Sequence, residues 1–219
     1  MIEYRLIRSD RRTLSISIDR EGALVVHAPM RMSVQDIEAF ILKKQDWILQ
    51  KQQTARSNAA AVPALSEGEQ LPFWGGMLTI GFYGGKKAVV HEGMLWLPSD
   101  GKAALHARKW RLQQAQALLV PRVQYWAQRT GYVPQKIGFG NAKSRWGSMN
   151  AHTKSLRLNA ALVHCPPALA DYVIVHELMH MRHQDHSPAF HASVRAVMTD
   201  ADARRAQLKN YVHFTTLWS

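Results

Sequence analysis

The chain has 219 residues, a formal net charge of +12, 47% apolar residues and a single cysteine, Cys165. That is enough length and apolar content for one large domain or two small ones, and it excludes an intrachain disulfide. No apolar run reaches the roughly 18 residues of a membrane span, and the start MIEYRLIRSDRR has charges but no signal-peptide core, so a cytoplasmic protein without membrane association is expected. The positive charge is compatible with nucleic acid or an acidic partner. Its carriers, among them Arg11, Arg12, Lys43, Lys44, Lys86, Lys87, Arg204 and Arg205, are scattered. There is no Gly-rich phosphate loop, zinc-finger cysteine pair or aromatic RNA-binding signature beside them.

Residues 2–28 alternate apolar with polar (Ile2, Tyr4, Leu6; Leu14, Ile16, Ile18) and read as strands, with a hairpin turn at Asp19-Arg20-Glu21-Gly22 and a stop at Pro29. Ser33, with Asp36 three residues on, predicts the N-cap of a helix running to Gln53. Residues 54–68 read as a loop or linker containing Pro63 and Gly68. A β meander is expected over 77–83, 88–90 and 94–97, turning at Gly84-Gly85 and Glu92-Gly93. A long helix over 102–130 should be kinked or broken at Pro121 and ended by Gly131. Ile137–Gly140 and Ser155–Asn159 are strand candidates.

Pro166-Pro167 opens a helix expected over 167–183 that is apolar on nearly every side: Leu169, Tyr172, Val173, Ile174, Val175, Leu178 and Met179. Such a helix is buried. It carries His176-Glu177-Leu178-Met179-His180. Imidazoles four residues apart leave one helix face together and can hold one zinc ion, with the intervening Glu beside it. A catalytic zinc takes three protein ligands and a water. The best third ligand is His186, just before the Ser187-Pro188 start of the next helix. His183 is the nearest competitor, expected about a turn down the same helix, and His191 is a candidate supporting residue. Glu177 is the candidate general base for a water attacking a carbonyl. Arg145, Tyr172, Tyr211 and His213 remain open as donors to the resulting oxyanion. Against this stands a motif formed by accident, or a structural zinc, although structural sites usually have four protein ligands. Cys165 reads as a small buried apolar residue, Met198 as core and Trp146 as packing.

Ser144-Arg145-Trp146-Gly147-Ser148, Leu156-Arg157-Leu158-Asn159, and Asp171 through His180 followed by His186-Ser187-Pro188-Ala189-Phe190 resemble the YgjP-like family of zinc metallopeptidases, related to the SprT and WLM metalloproteases. The resemblance extends through the N-terminal strands and the helix with Trp47-Ile48. It implies zinc held by His176, His180 and His186, Glu177 as catalytic residue, and a zincin-like core in which a strand near Leu156–Asn159 borders the cleft. Met149 stands where the family usually has Cys, and His191 where it usually has Trp. The expected fold is α+β, with an N-terminal antiparallel β-rich region carrying one helix (residues 1–100) and a zincin-like catalytic domain (101–219). The expected activity is zinc-dependent hydrolysis of peptide bonds in protein or peptide substrates. The competing reading is a basic, nucleic-acid-associated module with a structural or vestigial zinc site, acting on DNA-bound proteins.

Overall fold

A computed structural model of the chain describes residues 2–19, 22–60 and 65–218, so Arg20 and Glu21 of the expected hairpin turn, and Pro63 of the expected linker, lie outside the described residues. The fold is α+β and divides into two compact units, Met1–Val62 and Pro63–Ser219.

In the first unit, strands β1 (Tyr4–Ser9), β2 (Ser15–Ile18) and β3 (Leu24–Pro29) form a sheet in the order β1-β3-β2. β2 and β3 are antiparallel, as a hairpin requires, while β1 runs parallel to β3. Leu24, Val26 and Ala28 of β3 pack with Ile37, Ile41 and Ile48 in a small core. The single expected helix is two: α1 (Val34–Lys43) and α2 (Gln45–Ala60), separated at Lys44. Ser33 caps α1, its hydroxyl accepting from the Asp36 N–H at 3.1 Å and donating to the Asp36 carboxylate at 2.6 Å. α2 takes in residues 54–60, which the sequence assigns to a linker; alanine and arginine there favour helix and outweigh the loop signal of Ser and Asn.

The second unit opens with a sheet of β4 (Gln70–Phe73), β5 (Gly76–Tyr83), β6 (Val89–His91) and β7 (Met94–Pro98) in the order β4-β5-β7-β6. The expected meander is therefore broken: β7 inserts between β5 and β6 and runs parallel to β5. β4 contains Pro72, which a strand tolerates at a sheet edge. This sheet belongs with the C-terminal half of the chain rather than with the N-terminal strands. The Trp74 N–H donates to Val163 O at 2.7 Å, and His164 Nδ1 donates to Pro72 O at 2.8 Å. These bonds explain why the units divide at 62/63 and not at the expected 100/101.

Helix α3 (Ala103–Thr130) runs through Pro121 without a break and ends at Gly131, whose φ of 74° is a left-handed cap. A third sheet, in the order β8-β10-β9, joins β8 (Lys136–Gly140), β9 (Gly147–Asn150) and β10 (Ser155–Asn159). A short 3-10 helix, Ala160–His164, leads into α4 (Pro167–Met179), followed by α5 (Pro188–Val197), α6 (Ala201–Leu208) and a 3-10 segment, Lys209–Thr216. From Leu169 to Met179 every residue of α4 except His176 is buried. The partners are Leu119 and Val123 of α3, Leu156 and Leu158 of β10, and Phe190 and Val194 of α5. Asp171, buried on α4, pairs both carboxylate oxygens with the Arg122 guanidinium of α3. Asp171 is thus a buried charge supplied with its counter-ion, which holds the helix in place.

Candidate metal centre

α4 ends at Met179, four residues short of the sequence expectation, and His180 occupies its C-cap. The polar run Arg182-His183-Gln184-Asp185 has no apolar face to bury, so the chain leaves the core there in tight turns. The N–H groups of Arg182 and His183 both return to Met179 O at 3.0 Å. Ser187 then caps α5, accepting from the Phe190 N–H at 3.4 Å. Between these two fixed points the chain reverses, and His186 swings back over the end of α4.

The result is a cluster in which ring nitrogens of His176, His180 and His186 all lie within 4.8 Å of one another. His176 Nε2 and His186 Nε2 face each other at 3.1 Å. His180 Nδ1 donates to the His183 carbonyl at 2.9 Å, which keeps the proton on Nδ1 and leaves Nε2 with a free lone pair. Phe190, fully buried, is the floor under all three rings: its centroid lies 4.8, 4.6 and 5.0 Å from those of His176, His180 and His186. Burial drives His176 down to about 3, helped by the neighbouring His180 and His186, and lowers His180 as well. The imidazoles of His176 and His180 are therefore neutral at pH 7, the form that binds metal. Three converging nitrogens, a tautomer fixed by a backbone carbonyl and an apolar floor fit a divalent metal.

His183, the competing ligand, lies beyond the helix rather than one turn down it. Its Nε2 is engaged with Ser193 Oγ at 3.0 Å, and its contribution is the carbonyl that orients His180. His191 stands beside the cluster, its ring 6.3 Å from that of His186.

Glu177 and the three histidines line a single cavity of about 690 Å³. Glu177 is only 6% exposed, and burial raises its carboxyl to about 7 against the opposing pull of the Arg145 charge and the Met149 N–H. It sits against Gly147 of β9, where a Cβ would come within 2.7 Å of Glu177 Cγ and 2.8 Å of Oε1. Glycine is needed there for space, not for backbone freedom. Of the four candidate oxyanion donors, Arg145 and Tyr172 line the cavity; Tyr211 and His213 do not. Tyr172 is buried with its ring 5.8 Å from His176, and burial raises its pKa, so it keeps its proton. The wall opposite α4 is β9, with Gly147, Ser148, Met149 and Asn150 along it. The expected strand, Ser155–Asn159, is β10, the middle strand of its sheet, and its neighbour β9 lines this cavity. Met149 is thus a wall residue, half-buried and paired with Leu156.

Several contributors escape sequence reasoning. Phe190 reads simply as core, and the His183 carbonyl is invisible in a pattern of side chains. Asn159 donates from Nδ2 to Ala142 O at 2.6 Å and Arg145 O at 2.9 Å, so it staples the loop that presents Arg145. His152, Gln184 and Arg205 also line the cavity, and no local spacing marks them.

A cleft in which three histidines could hold a metal, with a buried carboxylate beside it, is compatible with a metallopeptidase. The chain belongs to the YgjP-like family: the model described as "YgjP-like, metallopeptidase domain" matches residues 12–211. Among solved structures the chain is similar to the metallopeptidase zymogen of Pyrococcus abyssi abylysin, at 17% identity and a TM-score of 0.37, over 40% of this chain and 89% of that one. No curated protein matches the chain. No helix among the described residues is long and apolar enough to cross a membrane.

Proposed function

We propose that the chain is a zinc-dependent peptidase in which His176, His180 and His186 hold the ion and Glu177 is the general base. The observation that carries this reading is the convergence of the three imidazoles over Phe190, with Glu177 in the same cavity. Zinc held there would lower the pKa of a water and polarise a substrate carbonyl. The protein's own groups do the rest. Glu177, whose burial brings it close to neutrality, takes the proton of the attacking water and passes it to the leaving amine. Tyr172, protonated and lining the cavity, donates to the developing oxyanion. β9 is the edge strand of its sheet, and an extended peptide would lie along it as a further strand, beside the Met149 N–H that Glu177 occupies.

The test is metal analysis of the purified chain together with hydrolysis of an unfolded protein. The wild type should carry one zinc per chain and cleave. Glu177→Gln should keep the zinc and stop cleaving, and equal cleavage by that variant removes Glu177 from the mechanism. Stoichiometric zinc in His186→Ala removes His186 from the ligand set.

A further inference from the structure

Among the described residues Glu177 is the only carboxylate lining the cavity of the three histidines, and it shares those walls with two guanidinium groups, Arg145 and Arg205. A second cavity of about 270 Å³ adjoins the first, with Arg145, Trp146, Gly147 and Ser148 lining both. Among the described residues the second has no acidic group in its walls, and it adds Arg157. The place of Arg157 follows from strand alternation: Leu156 and Leu158 are buried in the core, so Arg157 stands on the opposite face of β10. Its cross-strand neighbours are the small residues Ser148 on β9 and Gly138 on β8. A Cβ at Gly138 would meet nothing within 4 Å, and one at Gly140 would lie 3.4 Å from Arg157 Nε. The guanidinium therefore lies over an open sheet face beside Gly140. Together the two cavities make one groove, from the imidazoles past Arg145 to Arg157.

Neither Arg145 nor Arg157 forms an ion pair among the described residues, so both guanidinium groups are available to an anionic ligand. The loop bearing Arg145 is held by Asn159. Two guanidinium groups, Arg145 on a loop within electrostatic reach of Glu177 and Arg157 on a strand, line the path a substrate would take from the candidate metal centre. Their planar donor sets suit carboxylates.

We propose that Arg145 and Arg157 make this groove selective for acidic polypeptide: a substrate lying along β9 places an Asp or Glu side chain, a few residues from the scissile bond, against Arg157, with Arg145 drawing the same negative charge inward. The inference rests on the peptidase reading and gives it a substrate class. A polypeptide fits better than a nucleic acid. The β9 edge matches a peptide backbone, and a phosphate chain cannot pair with it.

The experiment uses the zinc-loaded full chain and paired peptides identical except for Glu or Gln at each position flanking the cleaved bond. At one position the Glu peptide should have a kcat/KM about tenfold higher, the scale of one charge-assisted contact, and the advantage should shrink as salt rises. Arg157→Gln should bring that ratio close to one, Arg157→Lys should restore part of it, and Arg157→Glu should reverse it in favour of a Lys peptide. A wild-type ratio of one, or a ratio unmoved by Arg157→Gln, overturns the proposal. Fluorescence anisotropy of labelled peptides on zinc-loaded Glu177→Gln separates this proposal from the reading beneath it. Acid-selective binding that depends on Arg157, with no cleavage by wild type, upholds the subsite and sinks the peptidase. Cleavage without selectivity does the reverse. A single-stranded oligonucleotide that competes at Arg157 more strongly than the acidic peptide also overturns the proposal, in favour of nucleic acid.

Discussion

His164 and His176 are both imidazoles whose pKa burial drives down to about 3, and both keep a buried ring nitrogen without a partner, Nε2 in His164 and Nδ1 in His176. Their surroundings differ. His164 lies in the core, stacked on Phe214 at 5.2 Å with Trp218 edge-on at 5.6 Å, and its Nδ1 is committed to Pro72 O. The charged group nearest in effect is Arg111, itself fully buried and tied to Leu217 O and Asn141 Oδ1 at 2.9 and 2.7 Å. His176 faces a cavity and two further imidazoles whose nitrogens converge with its own. A depressed pKa thus records burial in both places, and it is convergence of lone pairs on an accessible point that separates a candidate ligand from a packed core residue.

The sharpest way to break that comparison is substitution at each site with the same readouts. Glu177→Gln should lower kcat by about a thousandfold, the scale of a lost general base, with zinc content intact; steady-state hydrolysis and metal analysis check both halves. His186→Ala should weaken zinc binding by more than the roughly 10- to 100-fold that loss of a supporting residue costs, read by competition with a chelator. His164→Gln should leave zinc affinity where it was, and a loss of zinc there would erase the distinction between the two imidazoles. Gly147→Ala probes the wall instead of the ligands. Its methyl would occupy space within 2.7–2.9 Å of Glu177 Cγ, Oε1 and Cδ, so the carboxylate must move. A shift of about 1 Å costs roughly a hundredfold in turnover, with zinc retained. Unchanged kcat would show that Glu177 tolerates displacement and does not work where it sits.

How much of this was legible in the sequence depended on where the information is stored. The burial of α4 was legible because its side chains are apolar all round, and the nearness of His176 and His180 because helical spacing is local. Ser33 and Ser187 announced helix starts by their own chemistry. β9 was not legible: Gly-Ser-Met-Asn has no apolar alternation, and it is a strand because β10 pairs with it. The same holds for β7 running parallel between β5 and β6, a long-range pairing that turn residues do not encode. The end of α4 came earlier than its pattern suggested because charged residues had nowhere to bury, and that early end lets His186 return and the His183 carbonyl reach His180. Phe190 read as core and is core. Its place beneath the three rings depends on how α5 packs on α4, which no local spacing expresses.

The smallest effect concerns His164 alone, and its sign comes from the direction of the shift. Its pKa in the folded protein is about 3 against an ordinary 6.5, lowered first by burial, then by the charges of Arg111 and His213, with the bond to Pro72 opposing. Above pH 6.5 the imidazole is neutral whether the chain is folded or not, so the full stability is present there. As pH falls below 6.5 the unfolded chain takes up a proton that the folded chain refuses, and stability is lost progressively down to about pH 3. By about pH 5.5 the loss from this one group is about 1.4 kcal/mol, and below that it approaches roughly 1.4 kcal/mol per further pH unit. His213 and His176, also lowered by burial, act in the same direction, so the group must be isolated by difference. Denaturant unfolding of wild type and His164→Gln at about pH 7.5 and about pH 5.5 provides it. Gln keeps a donor for the Pro72 carbonyl but does not titrate, so the variant should lose less stability between the two pH values than the wild type. Equal losses would mean that His164 accepts a proton in the folded state, and that the aromatic enclosure around it is looser than its contacts with Phe214 and Trp218 imply.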